Sequence, residues 1–394
     1  MKIAYVTVGA GGHALSSLPM IRELVKRGVE VCYFAPPSFK KEVELSGARH
    51  IPFPEVTERY SLSYMGKEDF LAVIPLIFLG HAKEAIETVM AGMEAEQPDV
   101  IIADDFALAG RLAAWKLKLP LIMMFTSYAP GENFSIFRTF PDYPGSKARA
   151  AAAEMAETFY QEYGGKLLTP REIFEGKGDF NICTLTRRFQ PDGEHFKDDF
   201  FFAGAQIAPR AGDGNWKAPD NGKPLLYSSF GTFFNNWPQF YQILFPVVRD
   251  LDINVLCSIG KTIAIEDLGA IPENVTVMPF VPQLEVLSKA DYFITHAGIA
   301  SAMEAMYYGV SCLCIPQMDE QMLTAKRLKE LGVASDVLCK QDVNEQSLSE
   351  ALKELIHNPV YRNNARIFAE EMHSEGGCER AAEAVIAFMN KSAQ

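Results

Sequence analysis

The feature that most constrains this sequence is an alternation. Short apolar runs rich in β-branched residues are each followed by apolar residues at helical spacing. Residues 3–8 (Ile-Ala-Tyr-Val-Thr-Val) read as a buried strand, and Leu18, Ile21, Leu24 and Val25 mark one face of a helix over 18–27. Gly28 stands where a left-handed residue would end that helix. Residues 29–34, 100–103 and 121–125 read as further strands, with a helical run at 107–118. Strands separated by helices must pair in parallel, because each crossover carries the chain back to the same end of the sheet.

The pattern stops in a polar stretch punctuated by Gly204, Pro209, Gly212, Gly214, Pro219, Gly222 and Pro224, then resumes with strands at 225–229, 254–258, 275–278, 292–295 and 311–315. Two βαβ blocks joined by a linker predict an α/β protein of two doubly wound, Rossmann-like domains facing across a cleft. The expected division is 1–205, a linker at 206–223, 224–375, and a terminal segment 376–394. Ligands of such sheets bind beyond the carboxyl ends of the strands, which makes the cleft the expected site.

Charge and cysteine content narrow the function. The chain carries 37 Lys and Arg against 50 Asp and Glu, a net charge of −13. That balance argues against nucleic acid or an anionic membrane as main partner, but leaves room for a local nucleotide site. Seven scattered cysteines with no CxxC spacing read as reduced core residues. The longest apolar stretch, 71–79, contains Pro75 and falls far short of the roughly 20 residues of a membrane span. No membrane insertion is expected. No secretory signal is visible, so the expectation is a soluble, cytoplasmic protein.

Two loops carry the chemistry. Gly9-Ala-Gly-Gly-His13-Ala14 follows the first strand and approaches a dinucleotide fingerprint. It lacks the last glycine, however, and the second strand ends Phe34-Ala-Pro-Pro37, without the acid that would hold a ribose. What remains is an imidazole on a glycine-rich turn at a strand's end. That is a position for a general base, or for a helix N-terminal histidine that merely caps or packs. Asp104-Asp105 follows the strand at 100–103. One of them can orient His13, one can cap the following helix, or the two roles can be divided.

In the second block, Tyr292-Phe-Ile-Thr-His296-Ala-Gly298-Ile-Ala-Ser301-Ala-Met-Glu304 is a strand, a turn and a helix start. The unpaired N–H groups of a first helical turn bind phosphate, with His296 and Ser301 as added donors and Glu304 as an acceptor for sugar hydroxyls. Ser301 and Glu304 also have the spacing of an ordinary capping box, and spacing alone leaves both readings open. Ser229, Gly231 and Thr232 form a second strand-to-glycine turn with hydroxyl donors. Asp250-Leu-Asp252 sits at the other edge of the sheet and reads as a turn, so no metal is expected.

Phe280-Val281-Pro-Gln283, His296-Ala-Gly298, Ser301, Glu304-Ala, Tyr308-Gly309, Pro316 and Glu320-Gln321, in this order and spacing, resemble the donor-binding signature of family 1 UDP-sugar glycosyltransferases, enzymes of GT-B fold. The bacterial macrolide-type members look closest. The resemblance covers nearly the whole chain, including Gly12-His13 and residues 376–380, and is weakest at about 60–95 and 133–190, the acceptor-facing region of the family. It implies His13 as general base with Asp104 as its partner, and Thr126 against the transferred sugar. It further implies Thr232, His296 and Ser301 at the diphosphate, Phe280, Val281 and Gln283 at the uracil and ribose, Glu304 on the ribose hydroxyls, and Glu320 with Gln321 on the sugar. The last helix is expected to pack back on the N-terminal domain.

The chain departs from the family pattern at Phe280, where Trp is usual, at Ala300 and Thr324, where Asn is frequent, and at Glu320, where Asp is commoner. Gln321 leans towards glucose. The implied reaction is direct displacement, without metal or cofactor, from a UDP-sugar co-substrate to a hydroxyl of a small apolar acceptor such as a macrolide, polyketide or phenol. Met65, Phe70, Ile77, Phe78, Met123, Phe134 and Phe137 are candidates to line the acceptor pocket, or else simple core. The alternatives are a TDP-deoxysugar transferase and a catalytically silent protein of the same fold. The sequence says nothing of oligomeric state.

Overall fold

The computed structural model describes residues 1–392 except 10, 56–59, 137–140, 211–213, 215 and 232–234. The chain forms two units, one of Met1–Ala208 with Gly376–Gln394, the other of Pro209–Glu375.

The first unit holds seven parallel strands: β1 (Lys2–Val6), β2 (Glu30–Ala35), β3 (Arg49–Pro52), β4 (Val100–Asp104), β5 (Leu121–Phe125), β6 (Phe180–Cys183) and β7 (Phe200–Phe202). Their order is β3-β2-β1-β4-β5-β6-β7. Alternate residues of the central strands feed two separate cores. Ala4, Val6, Ile101, Ala103, Met123 and Phe125 pack against the helices Phe70–Glu96 and Leu108–Leu117. Ile3, Tyr5, Val100, Ile102, Ile122 and Met124 pack with side chains of the helices Gly11–Lys26 and Gly377–Ser392. Both faces are therefore covered, which is why these strands read as unbroken apolar runs. Ala381, Ala382, Val385 and Met389 place the terminal helix in that second core.

The second unit has six parallel strands: β8 (Leu225–Ser229), β9 (Asn254–Ser258), β10 (Val275–Met278), β11 (Tyr292–Thr295), β12 (Ser311–Cys314) and β13 (Ala334–Val337), in the order β10-β9-β8-β11-β12-β13. Leu226, Val255, Cys257, Ile294 and Leu313 meet the helices Pro238–Val248 and Glu345–His357. In both units the chain order reverses beside the first strand, which opens the space beyond the carboxyl ends there.

Two expectations need correction. The first helix spans Gly11–Lys26, not 18–27, so the glycine turn and His13 are already helical. Two glycines at the start and Pro19 inside disguise it, because each lowers helix propensity. Strands β3, β6 and β13 lie towards the sheet margins and have no clear apolar run of their own, and β7 at the far edge is only the three residues Phe200–Phe202. Among the described residues no helix is long and apolar enough to cross a membrane.

Candidate active site

In the first unit three neighbouring strands deliver their carboxyl ends to one spot. The loop and helix after β1 bring His13, β4 ends in Asp104 with Asp105 next in the chain, and Thr126 follows β5. His13 Nδ1 lies 3.0 Å from each carboxylate oxygen of Asp104. Asp105 Oδ1 is 3.3 Å from the same nitrogen, and the Thr126 hydroxyl 2.8 Å. Thr126 also donates to Asp105 Oδ1 at 3.4 Å. Asp104 is fully buried and Asp105 is 4% exposed, whereas the His13 side chain is 20% exposed. The described hydrogen bonds of the ring all run to Nδ1, which leaves Nε2 for a substrate. A Cβ built on Gly11 or Gly12 meets nothing within 4 Å, so the space at that turn is open.

Burial works against a charged imidazole here, but the charge and hydrogen bond of Asp104, helped by Asp105, outweigh it and hold the His13 pKa well above its ordinary value. Burial and the neighbouring Asp104 push Asp105 up to about 6, against the pull of His13. Asp104 does not cap the helix Leu108–Leu117, whose N-cap is Ala107. Its Oδ1 accepts the Phe106 N–H at 3.0 Å, which steadies the carboxylate without turning it from the ring. His13, Asp104 and Asp105 are close enough together to be compared with a metal site. The distances from Nδ1 to the carboxylate oxygens, 3.0 Å to Asp104 and 3.3 Å to Asp105, are those of hydrogen bonds.

Aromatic rings extend from this spot. Phe106 lies 5.1 Å from the His13 ring, Phe78 lies 4.7 Å from Phe106, and Phe174 lies 5.5 Å from Phe78. Of the candidate acceptor-lining residues, Met65, Ile77 and Phe78 are partly buried, Phe70 is exposed, and Phe134 packs on Tyr128. Met123, in β5, is fully buried in the core on the side of the helices Phe70–Glu96 and Leu108–Leu117. Phe137 lies outside the described residues.

In the second unit the helix Ile299–Tyr307 starts directly after β11, with Gly298 as N-cap and no side-chain cap. Ser301 and Glu304 are thus inside the helix, and the capping-box reading is overturned. The free first-turn N–H groups remain available to an anion. The turn before it is tight. Ala297 adopts φ 60°, a left-handed conformation that costs a non-glycine residue energy. A Cβ on Gly298 would come within 2.5 Å of His296 Nε2, and one on Gly231 within 2.7 Å. These two glycines let the β8 and β11 turns close around the imidazole. Burial lowers the His296 pKa to about 4, only partly offset by a hydrogen bond with the Ser229 main chain, so the ring is neutral at pH 7. Its buried Nδ1 has no partner among the described residues.

Glu304 is buried and ends a polar chain. Gln283 Nε2 donates to Glu304 at 2.6 Å and to the Ser301 hydroxyl at 3.2 Å, while Tyr227 donates its hydroxyl to Gln283 Oε1 at 3.2 Å. Arg210 forms an ion pair with Glu304. Phe280, just beyond β10, is 72% exposed, so its ring face is open to stacking. Val281 is 2% exposed, leaving its main chain rather than its side chain to meet a ligand. Glu320 and Gln321 lie in the first turn of the helix Asp319–Glu330 after β12, where Gln321 Oε1 accepts the Gln317 N–H at 2.9 Å. Thr232 lies outside the described residues.

The sequence missed three participants. Arg210 sits in a stretch read as linker, Tyr227 in an apolar strand, and Phe106 in a turn. None has a local signal, because each gains its partner from a distant element.

Known proteins resemble this chain over its whole length. Residues 242–388 match the family "Erythromycin biosynthesis protein CIII-like, C-terminal domain". The chain is 34% identical over 397 residues to NDP-glycosyltransferase YjiC of Bacillus subtilis, covering 99% of this chain and 98% of that one. It is 30% identical to demethyllactenocin mycarosyltransferase of Streptomyces fradiae, covering 99% and 87%. Among solved structures, the calicheamicin glycosyltransferase CalG4 superposes with a TM-score of 0.87 at 25% identity, covering 100% of this chain and 99% of that one. With relatives matched from end to end and a sheet order in both units that suits a nucleotide-sugar enzyme, the chain belongs to the family 1 glycosyltransferases of GT-B fold.

Proposed function

We propose that this enzyme transfers a hexose, glucose, from a UDP-sugar to a hydroxyl of an apolar small molecule, with inversion at the anomeric carbon. The observation that carries the reading is His13 Nδ1 held 3.0 Å from Asp104 beside an open turn. Asp104 accepts the hydrogen bond of Nδ1–H, which fixes the tautomer and presents the bare Nε2 of the neutral ring outward. Nε2 accepts the acceptor's hydroxyl proton as that oxygen attacks the anomeric carbon. The bond from that carbon to the diphosphate breaks, and its electron pair leaves with UDP. Asp104 steadies the imidazolium formed.

The nucleotide belongs to the second unit. Diphosphate charge falls to the N-terminus of the helix Ile299–Tyr307 and to the neutral His296, with Ser229 and Thr232 as further donors. The ribose hydroxyls donate to Glu304, the base stacks on Phe280, and Glu320 with Gln321 meets the sugar. These groups do the work a metal would otherwise do, and the reading requires none. Phe78 and Phe106 suit an apolar or aromatic acceptor close to the base.

A TDP-sugar donor is the second reading, left open by the relative named an NDP-glycosyltransferase, whose name fixes no nucleoside. Glu304 separates the two, because a 2′-hydroxyl gives it one more donor. The test is to offer UDP-glucose and TDP-glucose with a panel of hydroxylated aglycones, following products by mass spectrometry and their anomeric configuration by NMR. Equal use of both donors removes the UDP assignment, and an α-glycoside removes inversion. No transfer with either donor favours the silent protein of the same fold, a reading that an intact His13–Asp104 pair speaks against.

A further inference from the structure

We propose that Asp105 is a positioning residue, a second carboxylate set against His13 that decides the pH range over which the enzyme turns over. The inference rests on the base role proposed for His13. One carboxylate is enough to orient an imidazole, and Asp104 does so with both oxygens at 3.0 Å. The adjacent Asp105 nevertheless turns the same way, its Oδ1 3.3 Å from Nδ1. It is held there by its main-chain N–H on Met124 O at 3.0 Å and by the Thr126 hydroxyl at 3.4 Å. Burying a second negative charge, 4% exposed, costs free energy unless an opposite charge and hydrogen bonds answer it, and His13 and Thr126 supply both.

The groups facing Asp105 make that use specific. His13 comes from the first helix, Asp104 from β4, Tyr5 from β1 and Cys183 from β6. Burial keeps Tyr5 and Cys183 neutral, with Arg187 and Lys177 acting on the Cys183 side. His13 is therefore the cation that answers the two carboxylates. Removing its proton leaves two like charges together in a buried spot, so Asp105 favours the imidazolium and delays formation of the free base as pH rises. Asp105 itself is pushed up to about 6. Below that range it takes up a proton, and its hold on His13 is released.

The test compares Asp105→Asn with the wild type by two readouts. The first is the NMR titration of the His13 ring Cε1–H, and the second is the pH profile of kcat/KM with UDP-glucose and a phenolic acceptor. The expected result is a fall of about one pH unit in the His13 midpoint, with an equal shift of the acidic limb. At a pH well down that limb, kcat/KM relative to its own plateau then rises about tenfold. A purely structural Asp105 would scale the whole profile and leave both midpoints in place, which overturns the proposal. If the NMR midpoint falls while the limb stays, the base assignment of His13 fails and the effect of Asp105 on the imidazole stands. Asp105→Ser, smaller and also uncharged, gives the same readouts if the Asn variant does not fold.

Discussion

His13 and Asp104 stand 91 positions apart in the chain, yet the imidazole Nδ1 lies 3.0 Å from both oxygens of a fully buried carboxylate. The pair depends on β1 and β4 being sheet neighbours, Ile3 opposite Val100 and Val6 opposite Ala103. That pairing delivers both residues to one end of the first sheet.

Breaking the pair should stop chemistry without touching the nucleotide site. His13→Ala and Asp104→Asn are each expected to lower kcat by about 10²–10⁴-fold, the range for loss of a general base or of its orienting carboxylate. UDP affinity by calorimetry stays within about twofold, because the residues proposed to hold the nucleotide belong to the second unit. Turnover within tenfold of wild type in His13→Ala would remove His13 from the mechanism.

The elevated His13 pKa sets the pH dependence. Its free-base form appears only as pH rises through a folded-state value above the ordinary ~6.5. The acidic limb of kcat/KM should therefore lie above pH 6.5. Linkage runs the other way: the imidazolium–carboxylate contact stabilises the fold fully below pH 6.5, and that contribution is lost as pH climbs through the folded value. Activity and this part of the stability move in opposite directions, which thermal unfolding in wild type and His13→Ala measures. Activity flat from pH 5.5 to 8 would contradict it.

Donor binding should hinge on Glu304. Glu304→Ala removes the proposed ribose acceptor and takes from Arg210 and Gln283 the partner they share. UDP affinity is expected to fall by about 10- to 100-fold, the range for losing charge-assisted hydrogen bonds. Tyr227→Phe, which only loosens Gln283, should cost less than tenfold. Unchanged UDP binding in Glu304→Ala would place the ribose elsewhere.

Acid should weaken the protein through two histidines. Burial lowers both His81 and His296 to about 4. The unfolded chain then takes up protons first, so stability falls as pH drops from about 6.5 towards 4. Each contributes on the order of 2 kcal/mol after allowance for partial exposure. His81→Leu should flatten the fall in Tm between pH 7 and 4.5. A fall as steep as wild type would show that His81 is not proton-linked.

Much of this was legible in the residues. The central strands announce themselves because, buried on both faces, they must be apolar throughout, and Gly28 ends the first helix with φ 80° as its position suggests. His13, Asp104 and His296 stand out because each lies at or just beyond the carboxyl end of a strand, where α/β sheets gather ligands, and Glu304 because it lies on the helix that follows one. The marginal strands were not legible. Arg49-His-Ile-Pro52 has neither an apolar run nor alternation, and it becomes a strand only because β2 offers it a ladder.

The sequence by itself determined the alternation, and with it two parallel sheets, the glycine turns and the order of the signature from Phe280 to Gln321. Those are local properties, set by side-chain periodicity and backbone freedom. Tertiary structure alone decided that Asp105 turns to His13 beside Asp104, that Thr126 points its hydroxyl to that ring, and that Arg210 closes on Glu304. A hydrogen bond has a short reach and a strict geometry, and which distant groups fall within it is fixed only when sheet register and helix packing bring their elements together.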